Sequence, residues 1–79
     1  MKIYRYAGRC NASGLKIKRI REKREITQEQ LAAKMQIEGI PLNQKAISRI
    51  EAGSRVVADY ELMIFAKVLG VPVADLLKE

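Results

Sequence analysis

Thr27-Gln28-Glu29-Gln30-Leu31-Ala32, followed by Asn43-Gln44-Lys45-Ala46-Ile47-Ser48-Arg49-Ile50-Glu51-Ala52-Gly53, is the part of the chain whose reading decides the fold. In the first stretch Thr27 and Gln30 have the spacing of a capping box, in which the hydroxyl accepts a backbone N–H and the amide reaches back to another. Leu31, Ala32 and Met35 then recur as the apolar positions of a helix, Ile37 extends it, and Gly39 supplies a left-handed stop. In the second stretch Asn43 is an N-cap, and Leu42 and Ile47 stand at the two positions of a hydrophobic staple. Ile47 and Ile50 form an inward stripe that Gly53 ends. The spacing therefore predicts two capped helices joined by a connection.

Working outward, Ile17 and Ile20 share one side of a Lys- and Arg-rich helix predicted from about Leu15 to Arg24, with Arg21 one turn beyond Ile17. After Gly53 the clearest periodicity is Leu62, Phe65, Ala66 and Leu69, which predicts a helix over about 58–69 closed by Gly70. Pro72 suits the first turn of a last short helix, from which Leu76 and Leu77 pack back. Residues 1–13 show no periodicity and read as an arm whose Lys2, Arg5 and Arg9 either reach a phosphate or fray into solvent. Asn11, Ser13 and Gly14 form the turn into the first helix. The expectation is an all-α, compact five-helix domain over 14–79, with a helix-turn-helix at helices two and three.

A chain of 79 residues has room for a single small core, which leaves little spare stability and favours association. Fifteen Lys and Arg against nine Asp and Glu give a net charge of +6, which points to a polyanion as partner. With one cysteine, Cys10, and no histidine, the chain can form neither an internal disulfide nor an ordinary zinc site, and no metal or cofactor is expected. Cys10 has no charged or histidine partner specified beside it and is no candidate nucleophile. A reducing cytoplasm fits, and no apolar run has the length of a membrane span. No glycine-rich phosphate loop or catalytic constellation is present, so an enzyme is not expected.

Residues 27–32, the stretch Ala46-Ile47-Ser48-Arg49-Ile50-Glu51-Ala52-Gly53 and then Ala66-Lys67-Val68-Leu69-Gly70-Val71 together resemble the Cro/CI-type, or Xre, helix-turn-helix family. The likeness runs from about Gly14 to Leu77. It implies that the helix beginning at Gln44 lies in the major groove of double-stranded DNA, while the helix starting near Gln28 crosses the backbone. Gln44, Lys45, Ser48 and Arg49 would then face base edges. Their chemistry suits that role, since Gln pairs with adenine, Arg or Lys with guanine, and Ser with several partners. Gln28 at a helix N-terminus and Arg55 just past Gly53 would hold phosphates, with Lys16 and Lys18 as weaker candidates. The resemblance also implies a structural ion pair between Arg21 and Glu51, and a homodimer.

The connection from Gln36 to Leu42 is longer than the family's usual one, and its Ile37, Ile40 and Leu42 are expected to form a small satellite core. Tyr60, Ile64 and Val68 lie off the main stripe of helix four and are a candidate dimer patch. The function implied is a cytoplasmic, repressor-like transcriptional regulator. The alternative is an antitoxin-like or adaptor module whose main partner is a protein, because function resides in the site rather than the architecture.

Overall fold

The periodic segments fold into five helices in the computed structural model, which describes residues 5–78: α1 (Gly14–Lys23), α2 (Gln28–Ile37), α3 (Gln44–Ala52), α4 (Asp59–Leu69) and α5 (Val73–Leu77). Among the described residues no strand forms, and a lone bridge pairs Tyr6 with Arg9. Each helix sends side chains into one core: Ile17 from α1, Leu31 and Met35 from α2, Ile47 and Ile50 from α3, Phe65 and Leu69 from α4, and Leu76 from α5. Burying a side chain of this size stabilises by about 1.5–3 kcal/mol, so this shared cluster fixes how the helices sit on one another.

Local capping sets where α2 and α3 begin. Thr27 Oγ1 accepts from Gln30 N at 3.0 Å while Gln30 Oε1 accepts from Thr27 N at 2.8 Å. Asn43 Oδ1 accepts from Ala46 N at 2.8 Å, and the staple residues Leu42 and Ile47 are both buried. Gly53 ends α3 in the left-handed region, with φ of 81°. Close approach fixes the start of α1, since a Cβ on Gly14 would lie 2.2 Å from the Ile50 carbonyl oxygen. Only glycine lets the N-terminus of α1 abut the end of α3.

Three expectations about apolar residues are corrected. Ile37 is 82% exposed, Leu42 belongs to the main core and Ile40 packs on that core's edge, so no satellite cluster forms. Ile37 faces outward because it lies about 200° round α2 from buried Met35, and the reversal after it, with Ile40 N bonded to Met35 O at 2.9 Å, carries Leu42 in. Of Leu76 and Leu77 only Leu76 packs back, because Leu77 points away and is half exposed, and Pro72 is the N-cap rather than a first-turn residue. On α4, Ile64 and Val68 pack against the core, leaving Tyr60 exposed and, unanticipated, Met63.

From Tyr6 onward the N-terminal segment is held by hydrogen bonds; Lys2 lies outside the described residues. Tyr6 and Arg9 exchange both backbone hydrogen bonds, at 2.7 and 2.9 Å, around Ala7 and Gly8, which both have positive φ as a two-residue hairpin turn requires. From there the chain runs to the end of α3. Cys10 N donates to Gly53 O at 2.8 Å, and Arg9 Nη2 donates to the Glu51 carbonyl at 2.7 Å. Buried Asn11 donates to the carbonyls of Ile50, at 2.9 Å, and Arg55, at 2.7 Å, and accepts from Gly14 N at 2.7 Å. A helix leaves its last carbonyls without intrahelical partners, and here the segment before α1 supplies them.

Candidate nucleic-acid interface

The N-termini of α2 and α3 meet through a relay of side chains. Arg21 Nε and Nη2 donate to Glu51 Oε2 and Oε1 at 2.7 and 3.0 Å. Gln28 Nε2 donates to Glu51 Oε1 at 3.0 Å, and Gln44 Nε2 donates to Gln28 Oε1 at 2.6 Å. The order Arg21, Glu51, Gln28, Gln44 thus joins α1, α3, α2 and α3 again. At its inner end the charges are buried, the Arg21 and Glu51 side chains being 11% and 3% exposed. Arg21 also donates to the Ile26 carbonyl, and its hydrogen bond to Glu51 holds its pKa above the ordinary guanidinium value.

At its outer end the relay reaches a recess lined by Arg21, Thr27, Gln28, Glu29 and Gln44. The first N–H groups of a helix have no intrahelical partner, and the dipole adds positive potential. At α2, Gln30 N is taken by Thr27, whereas the backbone N–H groups of Gln28 and Glu29 remain at the free end of the turn. This end can therefore receive an anion. Gln44 keeps its carbonyl oxygen and one amide hydrogen for a further partner.

On α3, Gln44, Lys45 and Arg49 are exposed and Ser48 is half-buried. At about 100° per residue they cover an arc of about 140° opposite the Ile47 and Ile50 stripe. Arg55 lies beyond α3 and is held by a carboxylate, with Nη1 and Nη2 at 3.0 and 3.1 Å from Glu61 Oε1 and Oε2. Burial pushes the Glu61 pKa up, but its bonds from Arg55 and from Ala58 N, together with the Arg55 charge, outweigh burial and leave it lowered. Lys18 is exposed, about 60° round α1 from Arg21. Lys16 does not join this surface. It projects about 140° round α1 from Arg21 and lines a groove against α5, on another side of α1 from Lys18.

Glu61 and Asn11 were not among the candidate residues, and Arg9 was a candidate for phosphate rather than for the Glu51 carbonyl that it holds. Glu61 carried a legible signal, being the third residue of α4, where a carboxylate can reach back to the Ala58 amide. Its pairing with Arg55 is tertiary and carried none.

The helix-turn-helix family model matches residues 17–76, spanning α2, the connection, α3 and the core helices around them. The chain belongs to the Cro/CI-type helix-turn-helix family. Its function is accordingly of the DNA-binding, transcription-regulator type. No curated protein and no solved structure matches the chain. Among the described residues, no helix of this helix-turn-helix domain is long and apolar enough to cross a membrane, and no three His, Cys, Asp or Glu side chains gather as metal ligands would.

Proposed function

We propose that this helix-turn-helix domain is a sequence-specific, repressor-like transcriptional regulator that acts by binding and not by catalysis. It docks α3 in the major groove of an operator as a homodimer in the cytoplasm. The observation that carries this reading is the relay from the buried Arg21–Glu51 pair through Gln28 to Gln44. A side chain that reads a base must be held in one orientation before contact, and hydrogen-bonded support from a buried charge pair does that. Gln44, Lys45, Ser48 and Arg49 contact base edges, with Gln28, Arg55 and Lys18 on phosphates. Glu61 presents the Arg55 guanidinium in a fixed plane, which suits an anion that receives two N–H groups at once.

Arg49→Ala tests the base-reading role. It is expected to weaken binding to the preferred duplex by about 1–3 kcal/mol while changing binding to a scrambled duplex far less. Fluorescence anisotropy measures both, and equal losses on the two duplexes would remove Arg49 from sequence reading.

A further inference from the structure

Lys16, Arg19 and Lys23 of α1 and Arg24 that caps it, with Lys78 just beyond α5, line an open groove of about 530 Å³ between the two helices. Among the described residues Lys16, Arg19, Lys23 and Arg24 have no ion pair and no side-chain hydrogen bond, whereas Arg21, Arg55, Lys67 and Lys78 each hold a carboxylate. Asp75, the carboxylate on the groove's rim, is already engaged by Lys78 at 3.0 Å. The fold therefore gathers unpaired positive charge along one wall, where it attracts anions and repels itself. Between the charges the groove is apolar, lined by Ile20 and Val71, which pack on the core edge.

The groove opens away from the nucleic-acid surface. Lys16, Arg19 and Lys23 project about 140–160° round α1 from Arg21, the residue that binds Glu51 on α3. A duplex lying on α3 thus leaves the groove free. A second duplex would satisfy its charge with phosphates but bring nothing apolar to Ile20 and Val71. An acidic peptide segment bearing leucines satisfies both, and a cleft between two helices has the shape such a segment uses.

We infer that the α1–α5 groove is a docking site for an acidic, leucine-bearing segment of a partner protein, a role separate from DNA reading. The probe is a short fluorescein-labelled glutamate-rich peptide with leucines at helical spacing, added to the whole chain at low salt and followed by anisotropy. Lys23→Glu is compared with Lys34→Glu. Both lysines are exposed and sit in the last turn of a helix, so the two variants match in net charge and in position on their helices. Lys23→Glu is expected to weaken peptide binding about tenfold and Lys34→Glu less than about twofold. The unmutated chain should show peptide-induced NMR shifts at the Ile20 and Val71 methyls, a readout independent of any variant's folding. Equal losses in the two variants would mean that net charge alone attracts the peptide, and would overturn the proposal. So would absence of binding or of the methyl shifts, or an equal loss by Lys23→Glu on the peptide and on a random DNA duplex.

Discussion

Glu51 is the residue on which the most interactions converge: its carboxylate takes Arg21 and Gln28, and its backbone carbonyl takes Arg9. Glu51→Ala would strand the Arg21 guanidinium in the interior, which costs about 3–5 kcal/mol for a buried pair that loses one member. Urea denaturation should show that loss as a lower midpoint. Gln28→Ala removes only a link of the relay at the protein's edge and should cost about 1 kcal/mol or less in stability. Its effect should appear in DNA affinity instead. The Arg55–Glu61 pair adds a pH dependence whose sign follows from the lowered carboxyl pKa. Glu61 binds its proton less readily folded than unfolded, so its contribution is present above the ordinary carboxyl value of 4.5 and is lost as pH falls through the lower folded value. Thermal melts should therefore fall on acidification below about pH 4.5, and less steeply in Glu61→Gln.

At the scale of the helix, α3 is held at both ends. Its start is set by Asn43, the Leu42 and Ile47 staple, and Gln36, whose amide donates to Leu42 O at 2.9 Å and ties down the long connection. Its end is set by Arg9, Cys10 and Asn11. Asn11→Ala would leave the Ile50 and Arg55 carbonyls without that donor, with an expected cost of about 1–3 kcal/mol by denaturant titration. At Gly53 a Cβ would meet the Arg9 guanidinium carbon at 2.6 Å, on a backbone with φ of 81°. Gly53→Ala should therefore destabilise by at least about 1–2 kcal/mol, with the loss partly relieved when Arg9 is also replaced by Ala.

Which of these features could be read from the chain follows from how far their partners lie. Thr27 with Gln30, Asn43 with Ala46, and Gly53 act within one turn, so the starts and stops of α2 and α3 were legible. Asn11 was legible only as a turn into α1, because its other partners are 39 and 44 residues away. Ile37 lies about 200° round α2 from Met35, so its outward place was legible from helical phase although its apolar character argued against it. Which side of α1 Lys16 takes was not legible, because its basic charge suits DNA equally well on either side.

At the scale of the molecule, the five helices share one core and expose unlike surfaces. The exposed arc of α3 and the free N-terminus of α2 face one way, and the unpaired cations that line the α1–α5 groove face another. The net charge of +6 favours any polyanion, so affinity for DNA alone does not distinguish a regulator from a basic surface. Sequence preference does. The most direct measurement is selection of duplexes from a randomised pool by the whole chain, sequencing of the bound fraction, and anisotropy on the enriched duplex at several salt concentrations. Enrichment of a two-fold symmetric site, with affinity that falls as salt rises but stays well above that of random duplex, is the predicted result. Uniform weak binding, with no enriched site and no affinity left once salt screens the charge, would contradict it.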